Sequence, residues 1–421
     1  MDILIKSATI VDTQSKHHLK TRDVSIRNGK IEKIAEKIEA KNSKIIDAKD
    51  LHLSKGWIDL QANYQDPGFE YKEDIQSGLN ASAAGGFTAV GVSPATSPSR
   101  DVKAQVEYLV NQSKAHVIDV LPYGAVSKNL EGKELAELSD MQFSGAVAFS
   151  DGKNSIKNPN LLNRALLYTK AFDGIVMNYP NTRDIAEKGV MNEGEVSTNL
   201  GLKGIPELAE ELMVARDIYL VEYTAGRLHF NTISTAKSIE LIASAKSKNL
   251  KVSCDIASYN LLLTDNEISE FDTRFKTLPP LRSSKTIKKL IAGIKNGTID
   301  AICSDHCPED IESKKKEFDY ATFGIINAQT SFAVANTALT KSISLEQLIG
   351  LFTDGPAKVL GLERPTINEG EQANVTLFQP NETFVFSKAD LLSKSTNSPF
   401  FGRELTGKVL GVINGKKLSL R

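Results

Sequence analysis

The sequence has few of the residues that cross-link small secreted domains or bind soft metals. Of its 421 residues only three are cysteines, Cys254, Cys303 and Cys307, and only six are histidines. An odd and sparse set of cysteines excludes a disulfide scaffold and is typical of a reducing compartment. The small number of histidines also limits the imidazole ligands that a metal centre could use.

An excess of charge of either sign is absent too. Lys and Arg total 51 against 52 Asp and Glu, which gives a formal net charge of -1. Because nucleic acids and anionic membrane surfaces attract clustered positive charge, the composition favours neither as a partner. A small molecule or another protein is the partner that we expect.

Long hydrophobic runs are also missing. No apolar stretch approaches the roughly 18 residues that a membrane-spanning helix requires. The N-terminal stretch MDILIKSATIVD lacks the basic and then apolar segments of a signal peptide. We therefore expect a soluble, cytoplasmic protein.

What the sequence does contain is alternating apolar and polar residues at both ends of the chain. The dipeptides Asn28-Gly29 and Asn414-Gly415 each interrupt such a stretch and are typical of tight β-hairpin turns. The two ends can complete one domain when the middle of the chain is an insertion between them. We predict a small composite β-sandwich domain formed by residues 1–52 and 365–421.

The middle of the chain, residues 53–364, alternates short apolar runs with amphipathic helical stretches. This pattern indicates parallel βα units whose sheet is covered on both faces. Eight such runs predict an α/β fold, a (β/α)8 TIM barrel. The runs lie at 56–63, 88–93, 116–124, 145–151, 174–179, 229–234, 251–257 and 300–305.

Several stretches, taken in order, resemble the type I dihydroorotases of the amidohydrolase superfamily. They include GWIDLQANYQDPGFEYKEDIQSG, AAGGFTAVGVSPATSP, GAVAFSDG, GVMNEGEVSTNLGLKGIPELAEE, FKTLPPLRS, GTIDAICSDHCPED and NSPFFGRELTGKV. The resemblance implies a TIM barrel with a composite β domain. It also implies a hydrolase of pyrimidine biosynthesis, which opens the cyclic amide of dihydroorotate at a binuclear zinc centre.

The resemblance further implies where the metal ligands should lie. The family has H-x-H after the first barrel strand, a carboxylate after the fourth, histidines after the fifth and sixth, and an aspartate after the eighth. These positions carry four amides and two carboxylates here, namely Gln61, Asn63, Asp151, Asn178, Asn231 and Asp305. An amide nitrogen has no lone pair free for zinc, and an amide oxygen is a weak, hard donor. We therefore expect no zinc and no other cofactor.

Amides can still hold such a barrel together, because they both donate and accept hydrogen bonds. We expect the four amides to form a mutual network around the two carboxylates at the barrel mouth. In this interpretation Asp305 pairs with Gln61, Asn63 or Asn231.

The positions that the resemblance assigns to substrate binding have changed as well. An arginine, two asparagines and a histidine of the family are replaced by Gln65, Ala95, Leu278 and Glu309, and a pair of histidines after the seventh strand by Tyr259 and Asn260. Without the arginine, the strongest anchor for a carboxylate is gone, and a glutamate repels an anion. Dihydroorotate is therefore a poor candidate ligand.

Two alternatives remain for the stretch CSDHCPED. Asp305 and His306 could form a metal-free acid–base pair, since a carboxylate beside an imidazole moves protons at neutral pH. Cys303 and Cys307 could instead join them in a metal site, although a structural zinc normally needs a second pair of ligands from elsewhere. We favour a packing role for this stretch, and we predict that His229 is a hydrogen-bonded core histidine.

Three hypotheses of function follow. The first is a pseudoenzyme that scaffolds or regulates pyrimidine biosynthesis, by analogy as a partner of aspartate transcarbamoylase. We also expect a homo-oligomer, since the helical stretch IPELAEELMVARDIYLVEY carries a broad apolar stripe. The second is a hydrolase of altered chemistry on a C–N bond of a cyclic amide, metal-free or with a single ion. The third is an active dihydroorotase.

The barrel mouth discriminates between the first two hypotheses. An open pocket that exposes Asp151, Asp305 and His306 favours altered chemistry. A mouth closed by the amide network favours the pseudoenzyme.

Overall fold

The computed structural model describes residues 2–39 and 43–421. Its strands are β1 (Ile3–Val11), β2 (Thr21–Arg27), β3 (Lys30–Ala35), β4 (Lys44–Ile46), β5 (His52–Lys55), β6 (Trp57–Ala62), β7 (Phe87–Val92), β8 (Asp119–Gly124), β9 (Ala148–Ser150), β10 (Ile175–Asn178), β11 (Met191–Asn192), β12 (Gly204–Ile205), β13 (Arg227–Phe230), β14 (Val252–Ala257), β15 (Ala301–Cys303), β16 (Asn374–Val385), β17 (Glu404–Asn414) and β18 (Lys417–Leu420).

The two ends of the chain form one sheet with its own apolar core. Its strand order is β18-β17-β16-β5-β1-β2-β3, and β4 pairs with β1. Asn28 and Gly29 both have positive φ angles, as a tight hairpin requires, and they join the antiparallel strands β2 and β3. Strand β5 lies between β1 and β16, so it links the N-terminal and C-terminal parts of the domain.

The eight barrel strands occur where the sequence predicts them. They follow one another in the order β6-β7-β8-β9-β10-β13-β14-β15, and every neighbouring pair is parallel. Between β15 and β6 the ring is completed at its carboxyl end by a bridge from Ala62 to His306. The backbone N–H of Asn63 donates to the carbonyl of His306 there, at 2.9 Å. The structure therefore has the predicted TIM barrel.

Helices surround the barrel. They are α1 (Ile75–Ala84), α2 (Lys103–Ser113), α3 (Leu138–Phe143), α4 (Pro159–Thr169), α5 (Arg183–Ala186), α6 (Glu195–Leu200), α7 (Leu208–Thr224), α8 (Ala236–Ser247), α9 (Ser284–Lys295), α10 (Ile311–Lys314), α11 (Ser331–Leu339), α12 (Leu345–Gly350) and α13 (Asp354–Leu360). Among the described residues no helix combines the length and the apolar character that crossing a membrane requires.

Helix α1 holds the loop that follows the first barrel strand. The Asp74 side chain caps its first turn by accepting the backbone N–H of Ser77 at 2.7 Å. Gly78 faces the buried ring of Tyr64, and a Cβ at this position would lie 2.2 Å from that ring. Glycine therefore lets helix α1 pack closely against Tyr64, which holds the loop after β6 in place at the barrel mouth.

Candidate site at the barrel mouth

A pocket of about 200 Å³ opens at the carboxyl ends of the barrel strands. Active sites of TIM barrels lie on this face, because the loops after all eight strands converge there. The pocket is lined by Gln61, Asn63, Ser93, Ala95, Lys153, Asn154, Tyr259, Leu278, Asp305, His306, Cys307, Phe323 and Gly324.

The pocket brings together some of the residues singled out from the sequence and leaves out others. Those that line it are Gln61, Asn63, Ala95, Tyr259, Leu278, Asp305, His306 and Cys307. The others do not line it, namely Gln65, Asp151, Asn178, His229, Asn231, Asn260, Cys303 and Glu309. The mouth is thus neither of the two predicted arrangements, since it is open but Asp151 does not face it.

Asp151 turns into the protein and anchors the neighbouring loop. Its Oδ1 accepts the backbone N–H groups of Val126 and Ser127 at 2.9 and 3.0 Å, and its Oδ2 accepts the Ser127 hydroxyl at 2.5 Å. Burial raises the pKa of Asp151 to about 6, although these hydrogen bonds oppose the shift. Its carboxylate therefore connects the ends of the third and fourth barrel strands.

The predicted network of four amides does not form. Only one bond joins two of them, from Asn231 Nδ2 to Gln61 Oε1, and it is long at 3.4 Å. Asn178 instead donates to Asp217 on helix α7 at 2.7 Å. Within the described part of the chain, the buried side-chain oxygens of Asn63 and Asn231 have no hydrogen-bond partner. The amides therefore bond mainly to separate neighbours and do not form one network.

Asp305 has different partners from those predicted. Instead of an amide or His306, it contacts the ammonium of Lys153 at 2.8 Å through Oδ1. The Tyr259 hydroxyl donates to Oδ2 at 2.6 Å. Burial raises the pKa of Asp305, and the adjacent Lys153 charge opposes the shift. The pKa of Tyr259 is well above its ordinary value owing to burial and the Asp305 charge, so the phenol keeps its proton and acts as donor.

Lys153 is the functional residue that the sequence reasoning missed. Its Nζ also donates to Thr232 Oγ1 at 2.9 Å and lies 4.6 Å from the centre of the Tyr179 ring. The available signal was a cation two residues after Asp151, in the stretch SDGKN. Although Asp151 points away from the pocket, Lys153, two residues later in the same loop, lines it.

His306 does not form the acid–base pair with Asp305 that was considered. Its Nε2 lies 3.4 Å from Oε2 of the fully buried Glu73, and its Nδ1 accepts the backbone N–H of Asn327 at 3.1 Å. Both ring nitrogens are thus used to hold loops together. His306 therefore lines the pocket, but neither of its ring nitrogens is free to act as a base.

His229 is the core histidine that was predicted. It is fully buried, with Ser253 Oγ 2.8 Å from Nδ1 and Asp255 Oδ2 3.2 Å from Nε2. The alternative metal site around Cys303 and Cys307 finds no support, because in residues 2–39 and 43–421 no three His, Cys, Asp or Glu side chains converge on a point. Burial also raises the pKa values of both thiols, which disfavours the thiolate form that binds zinc.

The two charged or polar replacements at the substrate positions connect loops. Gln65 donates through Nε2 to the carbonyl of Pro308 at 2.5 Å. Glu309 forms an ion pair with Lys72 at 2.8 Å. Neither side chain is presented to the pocket, whereas the apolar Ala95 and Leu278 are. This wall of the pocket therefore offers no cation to a carboxylate.

The barrel and the composite sheet are the architecture of the amidohydrolase superfamily, and the family comparisons agree. Residues 189–417 match the model of the amidohydrolase family, and residues 52–238 match the dihydro-orotase-like model. The fold is shared with an L-hydantoinase (dihydropyrimidinase) from Arthrobacter aurescens, at a TM-score of 0.85 and 21% identity, covering 100% of this chain and 96% of that one. A D-hydantoinase gives a TM-score of 0.84 at 24% identity, with 100% and 95% of the two chains covered.

Relatives with higher sequence identity narrow the class. The chain is 40% identical over 417 residues to a dihydroorotase from Acetivibrio thermocellus, covering 98% of each chain. It is 39% identical over 411 residues to a dihydroorotase from Ruminiclostridium cellulolyticum, covering 97% of this chain and 96% of the relative. The chain therefore belongs to the dihydroorotase family of the amidohydrolase superfamily.

The zinc pair expected from the family does not suit the donors present at the mouth. Of the six ligand positions only Asp151 and Asp305 carry carboxylates, and each already accepts hydrogen bonds from the protein or pairs with an ammonium. The amides cannot supply the nitrogen donors that zinc prefers. The residues that would hold two metal ions are thus replaced or bound to other partners.

Proposed function

We propose that this chain is a dihydroorotase-like protein that has lost binuclear zinc and dihydroorotate binding. It acts without catalysis, as a scaffolding or regulatory partner in pyrimidine metabolism. The observation that carries the proposal is the set of ligand positions, where four amides stand and where both remaining carboxylates have partners within the chain.

The loss of zinc argues against the family's reaction at this site. Zinc-bound water reaches a pKa near 7 only because the ion withdraws charge from it. The side chains that line the pocket include no other group that lowers the pKa of water in this way. Hydrolysis of an unstrained cyclic amide then lacks its nucleophile.

The loss of the carboxylate anchor argues separately against dihydroorotate. Gln65 bonds to a backbone carbonyl, and Glu309 neutralises Lys72. The cation that remains in the pocket, Lys153, is already paired with Asp305. An anionic ligand would have to disrupt that ion pair, which makes binding unfavourable.

The partner is proposed by analogy, with aspartate transcarbamoylase as the candidate. We also propose that the chain forms a homo-oligomer.

Helix α7 supports a protein–protein interface, because it exposes large apolar side chains. Tyr219 and Tyr223 are 73% and 79% exposed, and Leu208 and Leu212 are also exposed. Exposed aromatic residues of this kind are enriched at protein interfaces.

The loss of zinc and turnover is tested on purified protein by elemental analysis together with a dihydroorotate assay. We expect substoichiometric zinc and no turnover, with or without chelator. The dihydroorotase of Acetivibrio thermocellus, prepared in parallel, is the positive control. One zinc or more per chain, or turnover that a chelator abolishes, would contradict the proposal.

The partner role is tested by co-purification from the native cell. A transcarbamoylase should accompany the wild-type chain and be lost with the variant Tyr219→Lys/Tyr223→Lys. The matched control is Phe143→Lys, which changes a side chain that is 87% exposed on helix α3. Consistent absence of a transcarbamoylase would count against this role.

A second candidate is a metal-free hydrolase of a C–N bond in a cyclic amide. It is favoured by the open pocket, in which Lys153, Asp305 and Tyr259 form one hydrogen-bonded chain. A panel of uncharged cyclic amides assayed in the presence of chelator distinguishes the candidates. Turnover that Asp305→Asn abolishes would support this enzyme and refute the non-catalytic proposal. An active dihydroorotase, the third candidate, would be detected by the zinc and turnover assay above.

A further inference from the structure

We propose that the ammonium of Lys153 takes the place of the metal ions, as a built-in positive charge that neutralises Asp305 at the barrel mouth. The inference rests on the proposed loss of zinc and goes beyond it, because it assigns the charge of the ions to a residue of this chain. Lys153 acts here as a positioning residue for the ends of three barrel strands.

The contacts of the ammonium come from three different strand ends. Nζ lies 2.8 Å from Asp305 Oδ1 after strand β15 and 2.9 Å from Thr232 Oγ1 after β13. The Tyr179 ring after β10 lies below it, with 4.6 Å from Nζ to the ring centre. An ion pair, a neutral hydrogen bond and a cation–π contact thus converge on one atom, as ligands converge on a metal ion.

The carboxylate at this point needs a counter-charge. The Asp305 side chain is only 6% exposed, and the nearby Asp255 carboxylate adds negative charge, which raises the pKa of Asp305 further. Tyr259 supplies a hydrogen bond but no charge. A buried carboxylate is strongly unfavourable unless it is paired. The Lys153 ammonium therefore supplies the positive charge that a metal ion would otherwise supply.

The backbone is shaped to present these oxygens. Thr232 has a φ of 50° and Asp305 a φ of 48°, both in the left-handed region that β-branched residues in particular avoid. The Thr232 N–H donates to Asp255 Oδ1 at 2.5 Å, which helps hold that conformation. Strained conformations persist where the surroundings over-determine them, and here both strained residues contact the same ammonium.

This arrangement also disfavours a divalent ion. An ion bound to Asp305 would lie within a few ångströms of the Lys153 ammonium, and like charges at that separation repel strongly in a buried setting. The lysine would have to leave its three contacts before an ion could bind. An ion bound to Asp305 and the Lys153 ammonium in its present position therefore exclude one another.

A double-mutant cycle measures the pairing by urea denaturation of Lys153→Met, Asp305→Asn and the double variant. We expect Lys153→Met to raise the unfolding equilibrium constant at least tenfold, because an unpaired buried carboxylate remains. In the Asp305→Asn background the same change should have less than a threefold effect. Lys157→Met is the matched control, since Lys157 pairs with Asp184 at the exposed surface, and it should change the constant less than threefold.

The cycle stays informative when a variant does not fold. A Lys153→Met chain that is insoluble alone but folds with Asp305→Asn shows the same coupling. Equal effects of Lys153→Met in both backgrounds, or an effect no larger than that of Lys157→Met, would overturn the inference and leave the proposed loss of zinc standing.

Thermal unfolding with zinc and with chelator separates the two proposals. We expect the melting temperature of the wild-type chain to be unchanged by either. Stabilisation by stoichiometric zinc would overturn both proposals. Turnover in the presence of chelator, with coupling between Lys153 and Asp305 intact, would refute the non-catalytic function alone.

Discussion

Replacing Asp151 by asparagine tests whether this carboxylate serves a metal ion or the fold. In the structure it is 2% exposed, and burial raises its pKa from the ordinary value of 3.8 to about 6. The charged form is therefore disfavoured in the folded protein. Because the folded pKa is raised, the stability linked to this group is fully present below pH 3.8 and is lost as the pH rises through 6.

The size of the effect follows from these two pKa values. At pH 7.5 the ionised group lowers the free energy of unfolding by about 3 kcal/mol relative to its neutral form, and at pH 5 by about 1.6 kcal/mol. Asparagine keeps an acceptor for the two N–H groups of Val126 and Ser127 and never ionises. The stability of Asp151→Asn relative to the wild-type chain should therefore increase by about 1.4 kcal/mol between pH 5 and pH 7.5.

Urea denaturation at several pH values between 5 and 7.5 measures this difference. Asp151→Ala is the control, because it removes the same charge but leaves the donors of Val126 and Ser127 unpaired, so it should be less stable than Asp151→Asn by about 1–3 kcal/mol at every pH. If the relative stability of Asp151→Asn fell as the pH rose, the ionised carboxylate would have to be compensated by a cation, and a purely structural role of Asp151 would be refuted.

Three further predictions concern other parts of the molecule. Gly78→Ala should lower the free energy of unfolding by about 2 kcal/mol or more, because the added Cβ would lie 2.2 Å from the Tyr64 ring; chemical denaturation checks this, and an unchanged midpoint contradicts it. Tyr259→Phe should lower it by about 1–2 kcal/mol, since Asp305 loses a 2.6 Å hydrogen bond. A loss of similar size when Tyr259→Phe is made in an Asp305→Ala background, which has no acceptor, would show that the bond is not the cause. Burial lowers the pKa of Lys314 to about 8, so the stability linked to this group is lost as the pH falls through 8. Denaturation should therefore show a larger free energy of unfolding at pH 9.5 than at pH 7, and Lys314→Met should reduce this difference. An equal difference in the variant would refute the role of Lys314.

The sequence was sufficient for the framework of the barrel and insufficient for the partners within its mouth. Short apolar runs between amphipathic helical stretches located all eight barrel strands, since buried parallel strands leave a nearly continuous apolar pattern. The same reading placed Asp151 and Asp305 at strand ends but could not give the directions of their side chains. Asp151 turns toward the loop after the third barrel strand, and Asp305 turns toward Lys153.

Hydrogen-bond partners that are distant in the sequence were also beyond prediction. Asn178 bonds to Asp217 on helix α7, 39 residues further along the chain, and Glu73, after the first barrel strand, contacts His306, after the last. Such pairs depend on distances between loops that a single sequence does not encode locally. His229 was easier to predict, because an imidazole inside a strand of a closed barrel must find its partners on the neighbouring strand.

The composite sheet has a consequence for the synthesis of the chain. Strand β5 obtains its second neighbour, β16, only after roughly 320 further residues have been made, which takes about 16–64 s at about 5–20 residues per second. During that interval the ribosome-bound chain has an unpaired strand edge, which is a template for pairing with other chains. Translation that stalls or terminates within the barrel would therefore release an aggregation-prone intermediate, even when every barrel strand has already been made.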